Sequence, residues 1–329
     1  MRFKTDIAYP DGKDFIFTIF DDTDVATLGN IQPIYDFLSS VGIYTTKSVW
    51  PLNSDCRDSD YLGSHTLEHD AYRNYIVTLA DKGFEIGFHG ASMESSLREE
   101  TIRGMEFIKE VVGYYPRVYA CHAVNNENMY WGENRFSYML SKYIYNILSK
   151  DRRIYQGENE SSPHFWGDIC CKNISYVRTF TFNEINLRNV MPLPVYKDKS
   201  KRYLNYCFIS SDTDNVEEFN MFLSTKRQDQ LERERGICIL TTHFGKGFVK
   251  RGVLNDKTKQ LIVQLSKRNG WFVPVSTVLD FLVAYESDIA IDDYAKFNLE
   301  MKWFASSVMR RFRQKRYEKT EIDYLSEED

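Results

Sequence analysis

The stretch FIFTIFDDTD, residues 15–24, drives an apolar, β-forming run into three carboxylates within four positions, Asp21, Asp22 and Asp24. Carboxylates at the end of a buried strand can ligate a metal or act as a general base. Imidazole is the natural companion to such groups, and the chain has only six histidines. Three of them fall at the ends of β-like runs: His89 in FEIGFH, His122 in RVYACHA and His243 in ICILTTHF. Carboxylate oxygen and neutral imidazole nitrogen both bind zinc at about 2.0–2.2 Å. A zinc ion lowers the pKa of its water from 15.7 to about 7. A second carboxylate can then take a proton from water, and a histidine can return one to a leaving group. These residue types therefore suit a metal-assisted hydrolase.

Such groups need a frame that brings them to one place. Short β-like runs alternate with helical segments along most of the chain, which predicts parallel strands joined by crossover helices. In such folds, chemistry collects at the carboxyl ends of the strands. Strands are predicted at 15–20, YTTKSVW, FEIGFH, RVYACHA, SYVRTFTF, YLNYCFIS, ICILTTHF and WFVPVST. Ser96 and Glu99 have capping-box spacing for a helix. Thr23 and Asp24, nearer the first helix, read as turn or capping residues. Seven or eight β/α units predict one α/β barrel over 1–286. From 287 to 329 the character changes. Between positions 302 and 319, seven basic residues face a single acid, and Phe304, Val308 and Phe312 recur every four positions. This predicts a basic amphipathic helical tail, packed on the barrel by its aromatic face or in peripheral contact with an anionic surface. The closing TEIDYLSEED reads as an acidic, disordered end.

Composition narrows the function classes. Of 329 residues, 43% are hydrophobic and 15% aromatic, enough for a sizeable core. A net charge of −5 gives no electrostatic reason for a nucleic-acid partner. No apolar run approaches the roughly 20 residues of a membrane span. The N-terminal MRFKTDIAYPDGKDF lacks the apolar segment of a signal peptide, so a cytoplasmic location is expected. The six cysteines show no CxxC spacing and read as free thiols. In HTLEH, His65 and His69 have metal-ligand spacing, but the glutamate is displaced from HExxH order, so the pair reads as surface or capping.

With these residues in view, FTIFDD resembles the TFDD signature of the polysaccharide deacetylase (NodB-homology) family. KGFEIGFHG resembles its GHEIGNH segment and ICILTTH its late L-x-H motif, in the same order over 15–274. The resemblance implies a distorted (β/α)7 barrel and a divalent metal, zinc by expectation. It implies a carbohydrate substrate, an acetamido sugar deacetylated in surface-polysaccharide metabolism. Carried onto this chain, it implies Asp21 as base, Asp22 and His89 as metal ligands, and His243 as acid. Two departures stand out. HGASM puts Met93 where the family has a second histidine ligand, and thioether is a poor zinc ligand. CHAVNNEN replaces the arginine-proline motif after the fourth strand. From its position, His122 is expected to supply the missing ligand. The rival reading is a degenerate deacetylase-like protein that holds a glycan or a biosynthetic partner, with Met93 as its support. A glycosidase is disfavoured, because Asp21 and Asp22 are adjacent and cannot easily flank a scissile bond.

Overall fold

A strand buried on both faces must be apolar along its length, and such strands belong to parallel sheets covered by helices. The run that opens the chain meets that condition: all seven residues of β1 (Phe15–Asp21) are buried. The structure, a computed structural model, describes residues 7–54, 64–149, 151, 153–286 and 288–314. Six further strands follow in parallel: β2 (Thr46–Val49), β3 (Glu85–Phe88), β4 (Val118–Tyr119), β5 (Tyr176–Phe182), β6 (Tyr206–Asp212) and β7 (Ile237–Thr242). Each pairs with the next, and β7 closes on β1 from Ile16↔Ile237 to Asp21↔Thr242. The result is a closed seven-stranded parallel barrel with surrounding helices.

The ring is distorted because two strands share an edge between partners. Of the predicted WFVPVST strand only Trp271 is in a strand, the pair Gly270–Trp271, which meets Phe15 and Ile16 at the base of β1. Higher on the same edge, Phe20 and Asp21 pair with β2. The eighth strand therefore lies outside the closed ring. On β6, Val195–Tyr196 pair antiparallel with Phe208 and Cys207, leaving Ser211 and Asp212 for β7.

Three crossover helices bear on the site: α1 (Leu28–Ser40), α2 (Asp70–Asp81) and α3 (Arg98–Val112). Thr27 caps α1, accepting from the Asn30 amide at 3.3 Å, while Asn30 Oδ1 accepts from the Thr27 amide at 2.8 Å. That reciprocal pair leaves Thr23 and Asp24 outside the cap. His69 caps α2, its ring accepting from the Tyr72 amide, and His65 accepts from the Leu28 amide. The HTLEH pair thus serves helix ends. At α3 the cap is Leu97, whose amide donates to Glu100 at 2.7 Å, one residue beyond the expected Ser96 and Glu99.

The C-terminal helix (Asp293–Gln314) lies against the barrel. Phe304 stacks on Phe136 with centroids 5.0 Å apart, and Glu300 accepts from the Ser137 amide. Much of the basic cluster and the acidic end expected in the tail fall at 315–329, outside the described residues. Among the described residues, no helix is long and apolar enough to cross a membrane.

Inside the barrel the Phe20 ring fills space left by Gly87 on β3. A Cβ at Gly87 would lie 3.0 Å from the Phe20 ring and 3.1 Å from Thr46 Cγ2. Overpacking of this kind costs about 1–3 kcal/mol. Gly87→Val should lower the unfolding free energy by that amount in urea denaturation, and an unchanged midpoint would contradict the packing described.

Candidate active site

Successive residues of a strand point to opposite faces, so Asp21 and Asp22 cannot share one. Asp21 turns out of the barrel towards α1. Its Oδ2 lies 3.1 Å from Lys47 Nζ, with both side chains fully buried. It also accepts from the Tyr35 hydroxyl at 2.9 Å and from the Phe244 amide at 2.8 Å. Burial pushes the Asp21 carboxyl up from its ordinary value, opposed by Lys47, the Phe244 amide and Tyr35. Burial would also lower the Lys47 ammonium, but the adjacent Asp21 charge outweighs it and raises it. The structure does not bring Asp21, the expected base, to the imidazoles: this carboxylate is half of an interior ion pair that ties β1, β2, α1 and the β7 exit loop together.

Asp22 turns the other way. Its amide continues the β1–β7 ladder to the Thr242 carbonyl at 2.8 Å. Arg178 of β5 grips both carboxylate oxygens at 3.0 Å, and its Nη1 also donates to Thr241 at 2.9 Å. A register shift between Arg178 and Phe180 marks this part of β5, and such irregularities re-aim side chains next to sites. Burial alone would raise the Asp22 carboxyl, but Arg178, then His89 and His243, hold it below the usual carboxylate range.

Asp24, two residues on, meets the imidazoles. Its Oδ1 lies 3.2 Å from His89 Nε2 and 3.8 Å from His122 Nε2, and its Oδ2 lies 3.2 Å from His243 Nε2. Asp24, His89 and His122, all buried, each offer a ligand atom within 4.8 Å of the others. The group that could hold a metal thus includes Asp24 and not the expected Asp22, whose two oxygens Arg178 holds. Burial would raise the Asp24 carboxyl, yet His122, His243 and His89 hold it well below the ordinary range. Val25 follows at φ +51, in the left-handed region that is strained for a β-branched residue. Such strain costs on the order of 1–3 kcal/mol and clusters at functional sites.

The two imidazoles of this group are oriented from behind. His89 Nδ1–H donates to the Ala120 carbonyl at 2.8 Å and His122 Nδ1–H to Asn125 Oδ1 at 2.9 Å, which leaves both Nε2 atoms facing Asp24. Asn125 is fixed in turn by donating to the Glu94 carbonyl and to Glu127 Oε1. Gly90, at φ +121, makes room for it: a Cβ there would lie 3.2 Å from Asn125 Nδ2. Burial pushes His122 down to about 4, which favours the neutral, ligating form. Two imidazoles and a carboxylate fit a catalytic divalent site, and this set does not draw on Met93.

His243 faces the same group. Its Nδ1–H donates to the Asp214 carbonyl at 3.1 Å, and its Nε2 lies 3.8 Å from Asp22 Oδ2. Burial and Lys246 push it down, but the bond to Asp24 and the charges of Asp24 and Asp22 raise it to about 9. Gly245 lets this loop seat on the Asp24 turn, since a Cβ there would lie 2.6 Å from the Val25 carbonyl oxygen.

Asp22, Asp24, His89, His122, Arg178 and His243 line one cleft of about 320 Å³. Its other walls include Trp131 and Arg135, with Trp303 and Arg310 from the C-terminal helix. Asp21 is not among its walls. The sequence reading missed Asp24, Arg135, Trp303 and Arg310. Arg178, an arginine inside the apolar run SYVRTFTF, is a signal visible in the sequence.

No protein-family model and no curated protein matches the sequence. Among solved structures, the fold is similar to a Mycobacterium smegmatis protein assigned as a polysaccharide deacetylase, at 14% identity and TM-score 0.49, covering 87% of this chain and 96% of that one. It is also similar to the PuuE allantoinase, at 10% identity and TM-score 0.46, over 84% of this chain and 92% of that one. A Pseudomonas aeruginosa PAO1 protein, also assigned as a polysaccharide deacetylase, gives 10% identity and TM-score 0.46, over 84% and 93%.

Two measurements probe this geometry. Asp21→Asn strands the Lys47 ammonium in the interior and should cost about 3–5 kcal/mol of stability in denaturant titration; an unchanged stability would contradict the ion pair. Burial pushes Glu127 up from 4.5 to about 7. Its folded-state value lies above its unfolded one, so its contribution is intact below pH 4.5 and is lost as pH rises to about 7. The loss amounts to about 3 kcal/mol. Glu127→Gln should flatten that part of the stability–pH curve, and a curve unchanged by the substitution would contradict the assignment.

Proposed function

We propose that the chain is a divalent-metal-dependent hydrolase that removes the acetyl group from an acetamido sugar in surface-polysaccharide metabolism. The observation that carries the reading is the buried Asp24–His89–His122 group, with Arg178-held Asp22 and His243 on the same cleft. The FTIFDD, KGFEIGFHG and ICILTTH resemblances supply the sugar and the acetyl group. Asp24, His89 and His122 hold the cation, and the mixed oxygen and nitrogen donors suit zinc. When bound, the cation supplies Lewis acidity, towards water and towards an acyl oxygen.

The remaining steps belong to the side chains. Asp22, held ionised by Arg178, accepts the proton of the attacking water; a carboxylate has lone pairs to spare beyond the bidentate contact. His243, carrying a proton on Nε2, delivers it to the departing amine. Base and acid sit 3.8 Å apart, Asp22 Oδ2 to His243 Nε2, so both reach one reacting centre. Arg178 keeps the base in place and charged.

Metal analysis of the purified protein should find one equivalent of a divalent ion, lost in Asp24→Ala and kept in Asp22→Asn. Acetate release from N-acetylhexosamine oligomers should fall by about 10²–10⁴ in Asp22→Asn and in His243→Ala. A metal-free wild type, or an Asp24→Ala variant that retains both ion and activity, would remove the basis of the mechanism.

A further inference from the structure

Three guanidiniums border the cleft: Arg178, Arg310 and Arg135. Two are matched by carboxylates, Arg178 by Asp22 and Arg310 by Asp212. Arg135 is 7% exposed, and its Nε is buried without a hydrogen-bond partner. Among the described residues it meets no carboxylate. Asp151 shares the cleft but is engaged by Tyr155 and by Arg153. The neighbours of Arg135 are aromatic instead: its guanidinium carbon lies 3.8 Å from the Trp131 ring centre, 5.1 Å from Trp303 and 5.5 Å from Phe180. Burial pushes it down to about 10, which still leaves it charged at neutral pH.

Stacked rings stabilise a guanidinium over its faces and leave its N–H edge unmatched. A buried cation with no counter-charge is costly, and the group that satisfies both charge and edge is a planar or tetrahedral oxyanion held by two parallel bonds. A sugar hydroxyl would satisfy a donor but not the charge. Arg135 and the Asp24–His89–His122 group border the same cleft, so one ligand can touch both. Resting on the reading of this cleft as an acetamido-sugar site, we propose that Arg135 receives an anionic group of the substrate, so that the sugar acted on is acidic, with a carboxylate or phosphate in addition to its acetamide.

The test is calorimetric binding to the zinc-loaded protein of N-acetylglucosamine, its C6-carboxylate (N-acetylglucosaminuronic acid) and its 6-phosphate. The wild type should bind one acidic sugar at least about tenfold tighter than the neutral one, as a charge-assisted pair predicts. The arm that binds best distinguishes carboxylate from phosphate. Arg135→Gln should bring the acidic-to-neutral ratio close to one. Arg135→Lys, which keeps the charge and loses the fork, should retain part of it, and serves if the glutamine variant does not fold. No preference for either acidic sugar, or a preference that survives in Arg135→Gln, overturns the proposal. Binding is read without turnover, so an absence of acetate release from every sugar would count against the deacetylase and leave the anion site standing.

Discussion

Three carboxylates end β1, and the two-residue period of a strand sends them different ways. Asp21 faces out and neutralises Lys47 in the interior. Asp22 faces the mouth and is taken by Arg178. Asp24, past the strand end, reaches the imidazoles. This division of labour organises the rest. The outward pair fixes β1 against β2 and α1, and the Phe244 amide on Asp21 fixes the loop that carries His243. The inward pair can then stand at defined distances from groups on β3, β5, the loop after β4 and the exit of β7.

Apart from Arg135, the charged groups at the mouth have partners. Low dielectric makes every unpaired charge there expensive. Asp22 has its arginine, and Asp24 has three imidazoles and the nearby Lys246. The protein does not leave the imidazoles to choose their own tautomers. Carbonyl oxygens of Ala120, Asn125 and Asp214 each take an Nδ1–H, so the nitrogens that face Asp24 are all Nε2. Orientation is supplied mostly by backbone, which a mutation at a side chain cannot easily remove.

Much of this was readable in the residues. The β-like runs predicted the barrel strands, and three of six histidines at their ends marked the mouth. The family resemblance predicted the distorted seven-stranded ring that the topology shows. The division of labour within FDDTD was less legible. The pleat sends Asp21 and Asp22 to opposite faces, and Asp24, read as a turn or cap residue, lies beside the imidazoles while Thr27 and Asn30 form the cap. The eighth strand looked sufficient in WFVPVST, but the β1 edge it needed was already divided with β2. Trp303 and Arg310 reach the cleft only through the path of the C-terminal helix, which nothing in local sequence specifies. Arg135 sits in an irregular loop where no periodicity reports which way a side chain turns.

The seam between β1 and β7 has a further consequence. The Asp21 to Phe244 bond spans 223 positions along the chain, and the same seam sets Asp24 beside His243. Contacts that close so large a loop must offset a heavy entropic cost and form slowly. A ribosome-bound chain that has displayed Asp24, His89 and His122 therefore still lacks the strand that holds the first of them in register. Assembly of the Asp24–His89–His122 group becomes a late event of biogenesis, coupled to ring closure rather than to the synthesis of its members.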